Sequence, residues 1–191
     1  MKLVFATNNQ NKVAEIKAAL TNGLEIITLK EAGIDIDIPE PHETLEENAT
    51  EKSTVIHTLT KQNCFSEDTG LEVTALNGEP GVRSARYAGE PSDGKKNISL
   101  LLKNMQQINE RNAQFKTVIS LMLDDVEYQF TGVCTGKIIL EEIGEMGFGY
   151  DAIFVPDGST KTFAQMEMEE KNIYSHRKKA VAKLVKFLSE K

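Results

Sequence analysis

The stretch SEDTGL (residues 66–71) carries two adjacent carboxylates, Glu67 and Asp68, between two apolar runs. Acidic residues followed by Thr-Gly are common turn material, so the pattern predicts a turn that links one buried strand to the next. Charges beside buried strands are also common in binding and catalytic sites. The composition and the other segments of the chain have to decide between these two interpretations.

The composition is that of an ordinary globular protein. The chain has 191 residues, 40% hydrophobic and 27% charged, which suffices for one domain, or one domain with a second lobe, around a large core. The formal charge of -7 argues against a nucleic-acid polymer as partner, because phosphate backbones are bound by clustered Lys and Arg. A small anionic ligand is compatible with this charge if basic residues form a local pocket.

The cysteines and the hydropathy pattern indicate where the protein works. Cys64 and Cys134 match no metal-binding spacing, so they are predicted to be small buried hydrophobic residues in a reducing compartment. The first apolar run stops at Ala6, and no segment approaches the roughly 18 apolar residues of a membrane span. The sequence therefore predicts a cytoplasmic protein with no membrane partner.

The spacing of apolar residues predicts alternating strands and helices early in the chain and a strand hairpin later. This order is typical of an α/β fold with a mixed, twisted sheet. The expected elements are a strand at 3–6, a helix ending at Gly23, a helix from the Thr44 cap to about Leu59, a helix near 92–105, a hairpin of 115–123 and 127–134 turning at Asp124-Asp125, a strand at 152–155, and a last helix capped by Ser175.

Two features place positive charge where packing alone would not. Lys52 interrupts an apolar helical face, so it either extends its ammonium to solvent or directs it into a cleft. The last helix begins with basic residues (176–179), although a helix N-terminus already carries the positive pole of the helix dipole, and Lys171 lies upstream. Either these side chains are solvated or a ligand compensates their charge.

Two loops suit a nucleotide. TNNQNK (7–12) lies between a buried strand and a helix, where backbone N–H groups can hold phosphate; the glycines of a Walker loop are absent, and a polar N-cap turn is the alternative. GFGYD (147–151) offers a ring for stacking and a carboxylate, or is a glycine-rich turn with core aromatics. Phosphate beside carboxylates calls for Mg²⁺, and Glu40, stiffened by flanking prolines, is a candidate second ligand.

In their order along the chain, these segments resemble the inosine and xanthosine triphosphate pyrophosphatases. The resemblance covers nearly the full length. It is carried by ATNNQNKVAE (6–15), ENATEK (47–52), SEDTGLEVTALNGEPGVRSARYAG (66–89), GFGYDAIF (147–154) and EEKNIYSHRKKA (169–180).

The resemblance implies an elongated, curved mixed sheet flanked by helices, with two lobes, a central cleft and a homodimer as the usual assembly. It implies hydrolysis of ITP, dITP, XTP and dXTP to the nucleoside monophosphate and pyrophosphate, with at least one Mg²⁺ per subunit. The carboxylates of SEDTGL would position the metal and activate the attacking water.

The resemblance also implies roles for individual residues. The triphosphate would be bound by Thr7, Asn8, Asn9, Gln10, Asn11, Lys12 and Lys52. Magnesium would be held by Glu40 and Asp68, Asp68 would accept the proton, and Thr69 would contact the substrate. The purine pocket would comprise Phe148, Gly149, Tyr150, Asp151, Lys171, His176 and Arg177. The family usually has Ala-Asp-Asp-Ser-Gly where this chain has SEDTG, which leaves the role of Glu67 open, and Pro where this chain has Ala152.

Two other functions are compatible with part of the pattern. One is a pyrophosphatase of similar fold that prefers pyrimidines, like the Maf-like enzymes. The GFGYD and Ser-His-Arg segments argue against this function. A nucleotide-sensing module would use the same pocket without turnover. Release of pyrophosphate from ITP distinguishes this last alternative from an enzyme.

Overall fold

The computed structural model describes residues 2–20 and 24–191, and within this part the chain forms seven strands and five α-helices. The strands are β1 (Lys2–Phe5), β2 (Glu25–Thr28), β3 (Cys64–Val73), β4 (Pro80–Gly81), β5 (Asn112–Leu123), β6 (Val126–Ile138) and β7 (Phe154–Pro156). The helices are α1 (Gln10–Ala19), α2 (Leu45–Thr60), α3 (Gly94–Asn104), α4 (Met168–Tyr174) and α5 (His176–Ser189). Short 3₁₀ turns occupy Thr74–Leu76, Ser84–Arg86, Asp151–Ile153 and Phe163–Gln165.

The strands belong to one mixed sheet. Its order is β2-β1-β3-β5-β6-β7, with β4 paired to β3. Strand β1 runs parallel to β2 and β3, whereas the pairs β3–β4 and β6–β7 are antiparallel. Phe5 lies opposite Phe65 in the β1–β3 register, and their rings stack with centroids 4.5 Å apart. The prediction of an α/β fold with a mixed sheet is confirmed.

The first of two compact units comprises the described residues of Met1–Asp68, Thr117–Gly132 and Arg177–Lys191. Alternate residues of β1 enter two different clusters of its core, because successive strand side chains point to opposite faces. Leu3 and Phe5 pack in the cluster that contains residues of α1 and α5, whereas Val4 packs in a smaller cluster with Ile56 of α2. Strand β1 is therefore buried on both faces, as parallel strands usually are.

The second unit comprises Thr69–Lys116 and Val133–His176. Its core combines residues of β3, β5 and β6 with aliphatic residues of α3 and the aromatic rings that follow β6. Phe115 packs edge-on against Phe154, with ring centroids 4.8 Å apart, and both Phe154 and Phe163 are fully buried. This core supports the segment that contains GFGYD.

The structure contradicts the predicted turn at SEDTGL, because the whole stretch lies inside the single strand β3. Glu67 and Asp68 are buried rather than exposed at a turn, and cationic side chains compensate their charge. Gly70 has a packing role here: a Cβ atom at Gly70 would lie 2.5 Å from the carbonyl oxygen of Gly81 in the neighbouring strand β4. Gly70 is therefore needed for close strand pairing. Local turn statistics cannot distinguish this use of a Thr-Gly pair from its use in a turn.

Other predicted elements have mixed outcomes. The start of α2 is confirmed, since the Thr44 hydroxyl accepts from the Glu47 backbone N–H at 3.2 Å, and α5 begins directly after Ser175 as expected. Strand β2 and helix α4 were not predicted, because each is short. The predicted helix end at Gly23 lies outside the described residues, and α1 ends at Ala19. Strand β7 lies slightly later than predicted.

Two further expectations concern the cysteines and the membrane. Cys64 and Cys134 are both free thiols and both buried, as predicted, and burial raises the pKa of Cys64 to about 12. Among the described residues, none of the helices has the length and apolar character needed to cross a membrane.

The predicted hairpin at Asp124-Asp125 is present, and its turn contacts His57 near the end of α2. Both aspartates have positive φ, 51° and 65°, which matches a tight two-residue turn. The His57 ring is 2.8 Å through Nδ1 from the carbonyl oxygen of Gln62 and 2.9 Å through Nε2 from the Asp125 carboxylate. Both partners are acceptors, so the ring bonds both only when both nitrogens carry protons. The hydrogen bond to Asp125 accordingly raises the pKa of His57.

This pair predicts a pH-dependent contribution to stability. A raised pKa in the folded protein gives a contribution that is complete below the unfolded value of about 6.5 and is lost as pH rises through the folded value. We expect His57→Gln to destabilise the protein more at about pH 6 than at about pH 8.5 in urea unfolding. Asp125→Asn, which suits the left-handed turn, should reduce the same pH dependence. Equal pH dependence in wild type and both variants would contradict this role.

Candidate functional site

The loop from Thr7 to Lys12 presents polar groups at the start of α1. The Asn9 side chain caps the helix, because its Oδ1 accepts from the backbone N–H groups of Asn11 at 3.0 Å and Lys12 at 3.2 Å. Asn8 donates through Nδ2 to the carbonyl oxygen of Ile36 at 2.9 Å, which connects the loop to the segment before α2. The polar N-cap turn is therefore present, and the residues from Asn8 to Asn11 are exposed to a ligand.

Strand β3 directs its two acids to opposite faces. Cys64 packs with Ile56 of α2, and the hydroxyl of Ser66 donates to the carbonyl of Ala49 in the same helix. Phe65 belongs to the other cluster, which contains residues of α1 and α5. Because strand side chains alternate, Asp68 faces α2 and Glu67 faces α1 and α5.

On the α2 face, one ammonium joins two carboxylates. Lys52 Nζ lies 2.6 Å from Glu40 Oε1 and 2.9 Å from Asp68 Oδ1. Lys52 is 6% exposed, so the sequence alternative in which it reaches solvent is wrong. Burial alone would lower the pKa of Lys52, but the Asp68 and Glu40 carboxylates outweigh this effect and raise it.

Asp68 keeps one oxygen available. Its Oδ2 is buried and has no hydrogen-bond partner among the described residues, whereas its Oδ1 accepts from Lys52. Burial raises the pKa of the Asp68 carboxyl, and the nearby ammonium of Lys52 acts in the opposite direction. An unsatisfied buried carboxylate oxygen is costly, so its presence indicates a position for a ligand, a proton or a metal ion.

The α2-face group fits a magnesium ion. Two carboxylate groups lie within hydrogen-bond distance of the same ammonium, and Mg²⁺ usually takes one or two protein carboxylates while it keeps several waters. Glu40 is a quarter exposed at its side chain, so water can reach it. Residues 2–20 and 24–191 contain no group of three or more His, Cys, Asp or Glu side chains that could hold a metal ion. A site of this kind therefore depends on water and substrate oxygens for its other ligands.

On the opposite face, Glu67 is the centre of a second buried charge cluster. Its carboxylate lies 2.8 Å from Lys12 Nζ and accepts from Arg177 Nε at 3.0 Å. Arg177 also donates through Nη1 to Glu15. Burial would raise the pKa of Glu67, but Arg177 and Lys12 outweigh burial and hold it well below its usual range. Two cations and two anions thus neutralise each other.

The second unit contains another buried ion pair. Lys171 Nζ in α4 lies 2.6 Å from Asp151 Oδ2, and both residues are 4% exposed. The same carboxylate oxygen accepts from the backbone N–H of Phe148 at 2.9 Å. Gly147 makes this contact possible, since a Cβ atom there would lie 2.1 Å from Asp151 Oδ2. The ammonium also lies 5.6 Å from the centre of the Phe148 ring.

Two other residues of the predicted purine pocket are core residues. Tyr150 is 3% exposed, belongs to the hydrophobic cluster and donates through its hydroxyl to the carbonyl of Ser84 at 2.8 Å. Burial raises the pKa of this hydroxyl. The His176 ring is also 3% exposed and stacks on Phe115, with centroids 4.7 Å apart. The interpretation of the basic helix start as solvated surface is therefore wrong for His176 and Arg177.

The structure groups the predicted residues into two sets, one in each unit. The first unit contains Thr7, Asn8, Asn9, Gln10, Asn11, Lys12, Glu40, Lys52, Asp68 and Arg177. The second contains Thr69, Phe148, Gly149, Tyr150, Asp151, Lys171 and His176. Sequence reasoning missed Glu15, which looks like an ordinary polar helix residue until its distant partner Arg177 is known.

The chain matches the sequence description of the Ham1 family over residues 3–187. It is 48% identical over 189 residues to the dITP/XTP pyrophosphatase of Flavobacterium johnsoniae, covering 99% of this chain and 98% of the relative. It is 47% identical over 188 residues to the dITP/XTP pyrophosphatase of Porphyromonas gingivalis, covering 98% and 97%.

Solved structures agree with these sequence matches. The Ham1 protein of Staphylococcus aureus superposes with a TM-score of 0.90 at 40% identity, covering 100% of this chain and 99% of that one. A HAM1 protein from Coxiella burnetii superposes with a TM-score of 0.91 at 34% identity, with full coverage of both chains. The mixed α/β fold is shared with these Ham1 proteins of known structure. This chain belongs to the Ham1 family.

The Glu67 cluster predicts a large stability effect. Glu67→Gln removes one anion from a buried group of four charges and leaves Lys12 and Arg177 under-compensated. We expect the free energy of unfolding in urea to fall by about 3 kcal/mol or more. Glu72→Gln, a partly exposed acid on the same strand, should change it by less than about 1 kcal/mol. A similarly small loss for Glu67→Gln would show that the cluster is not a stabilising network.

Proposed function

We propose that this protein hydrolyses the nonstandard purine nucleoside triphosphates ITP, dITP, XTP and dXTP to the nucleoside monophosphate and pyrophosphate. Its membership in the Ham1 family and its similarity to dITP/XTP pyrophosphatases support this activity. The structural observation that carries the proposal is the buried Asp68, whose Oδ2 has no partner among the described residues while its Oδ1 is held by Lys52.

In this reaction a water oxygen forms a bond to the α-phosphorus, and the bond between that phosphorus and the α,β-bridging oxygen breaks. Asp68 Oδ2 accepts a proton from the water, and pyrophosphate leaves with the bridging oxygen. Lys12 and Lys52 stabilise the negative charge of the phosphate chain. The loop from Thr7 to Asn11, exposed from Asn8 onward, supplies further donors at the positive end of α1.

Glu40 and Asp68 are the residues that would hold Mg²⁺. When bound, this ion neutralises phosphate charge and lowers the pKa of a bound water. The two carboxylates share the Lys52 ammonium, and that of Glu40 is partly exposed, which supports this assignment.

Base recognition is assigned to the second unit. The Lys171 ammonium would donate to the 6-oxo group, Asp151 would accept from the N1–H of hypoxanthine or xanthine, and Phe148 would stack on the ring. Adenine carries an amino group at position 6 and an unprotonated N1. The Lys171 ammonium and the Asp151 carboxylate would therefore each face a group of the wrong polarity on this base. Guanine shares both groups, and its rejection would depend on its 2-amino group.

The remaining predicted residues have supporting positions. Tyr150 and His176 would shape the pocket from the core, with Gly149 and Thr69 contacting substrate through small groups. The contact of Arg177 with the base stays a prediction, because its guanidinium donates to Glu67 and Glu15 here.

We also propose that the protein is a cytoplasmic homodimer. Its substrate would be a small nucleotide, and it would have no nucleic-acid polymer as partner. The net charge of -7 supports the absence of a nucleic-acid partner.

One assay tests the function. Pyrophosphate release with Mg²⁺ is measured from ITP, XTP, ATP, GTP, dTTP and UTP. Preferred release from ITP and XTP is the expected result. Preference for UTP or dTTP would indicate a pyrimidine enzyme instead, and tight ITP binding without release would indicate a nucleotide sensor.

The proposed proton acceptor gives a direct test. Asp68→Asn keeps the shape of the side chain and its bond to Lys52 but removes the basic oxygen, so kcat for ITP should fall by on the order of a hundredfold or more. The far-ultraviolet circular dichroism spectrum should not change. Asp157→Asn, which alters an exposed acid, is the matched control. Near-normal turnover of Asp68→Asn would exclude Asp68 as the acceptor.

Base recognition gives a test of specificity. Lys171→Met should lower kcat/KM for ITP much more than for ATP. The ratio of the two kcat/KM values, which a buried polar pocket can hold at about 10² to 10⁴, should therefore fall. Phe148→Ala should weaken all purines alike, by about 1 to 3 kcal/mol, since stacking does not distinguish them. If Lys171→Met lowered both nucleotides equally while its fold stayed intact, Lys171 would not read the 6-position.

A further inference from the structure

Lys52 contacts both carboxylates that are assigned to the metal. Its Nζ lies within hydrogen-bond distance of Glu40 and Asp68, at 2.6 and 2.9 Å, and its side chain is 7% exposed. The ammonium therefore compensates the same two negative charges that a divalent cation would compensate. The family resemblance implies that Lys52 binds the phosphate chain, a role that competes with these contacts.

The position of Lys52 on α2 keeps it in this contact. Leu45, Ala49 and Ile56 of the same helical face are buried, so the side chain extends through apolar surroundings before it reaches the acids. Burying an ammonium without a partner would be costly, whereas the pairing with two acids compensates much of that cost. An alternative anion, such as a phosphate group, would compensate it as well.

We propose that Lys52 is an internal counter-ion that competes with Mg²⁺ for Glu40 and Asp68, so that the nucleotide-free protein binds the metal weakly and a triphosphate strengthens metal binding by attracting Lys52. The inference rests on the proposed function for its nucleotide step. Its first step concerns the free protein and depends only on the contacts of these three residues.

The charges explain why the two cations exclude each other. A divalent ion that enters between Glu40 and Asp68 meets the repulsion of the Lys52 ammonium, which is within hydrogen-bond distance of both carboxylates. When phosphate oxygens approach, they offer the ammonium other acceptors and add negative charge for the metal. Metal and triphosphate binding are then coupled, and the coupling is reciprocal.

The test measures Mg²⁺ binding to the nucleotide-free protein by calorimetry and by the shift in melting temperature. Lys52→Met keeps a long apolar stem without the charge. It should bind Mg²⁺ more tightly than wild type by on the order of tenfold or more, because the variant removes the repulsion between the ammonium and the metal ion. Lys52→Arg, which keeps the charge, should stay weak, and Lys30→Met, an exposed lysine, should match wild type. Lys52→Gln serves if the methionine variant does not fold.

Two outcomes would overturn the proposal. Equal Mg²⁺ affinity in wild type and in the folded Lys52→Met or Lys52→Gln protein would show that the ammonium does not compete. A gain that persists in the Lys52→Met, Asp68→Asn double variant would place the added metal elsewhere. Loss of the gain in the double variant supports the proposal.

The nucleotide step needs a separate readout. The wild-type protein is titrated with Mg²⁺ at a saturating concentration of a non-hydrolysable ITP analogue, with a correction for metal bound to the free analogue. Tighter binding than in the nucleotide-free protein is expected, and a smaller gain in Lys52→Met. An equal gain in both would refute the coupling. Absence of pyrophosphate release from ITP would instead refute the proposed function and would leave the metal measurements interpretable.

Discussion

The pairing of two consecutive buried acids with separate cations is the constraint on which the first unit depends. Glu67 and Asp68 lie in the middle of the sheet, on opposite faces of β3, where an uncompensated carboxylate would destabilise the fold. Each face therefore brings in a partner from a distant segment: Arg177 from α5 and Lys12 from α1 on one side, Lys52 from α2 on the other. These ion pairs connect each face of β3 to the helices that cover it.

The ion pairs also explain what sequence reasoning could and could not predict. Local signals predicted the Thr44 cap and the tight turn at Asp124-Asp125, because a few neighbouring residues determine each of them. The same local signals produced an incorrect turn at SEDTGL. Its acids resemble turn residues until partners more than a hundred positions away, such as Arg177, are placed beside them.

The candidate site was predicted best where a residue broke a local rule. Lys52 in an apolar stripe and Arg177 at a helix start are both buried and paired, so the violation indicated an interaction that packing alone does not require. Both interpretations of GFGYD apply to part of it: Asp151 forms a buried ion pair with Lys171, whereas Tyr150 belongs to the hydrophobic core. Glu15 broke no rule, since an acid is ordinary in an exposed helix, and only the fold shows that this position is buried.

The alternation of β3 limits how the acids of this strand can act. Adjacent carboxylates in sequence suggest a pair that chelates one ion, but strand geometry separates Glu67 and Asp68 onto opposite faces, and Glu67 is already bound by Lys12 and Arg177. A second carboxylate for Asp68 must therefore come from another segment, and Glu40 is the one that shares Lys52 with it. Glu67 is already paired with Lys12, whereas Asp68 keeps one buried oxygen that has no hydrogen-bond partner among the described residues. The two adjacent acids of SEDTGL therefore have different surroundings: Glu67 is bound by two cations on one face of β3, and Asp68 retains an unsatisfied oxygen on the other.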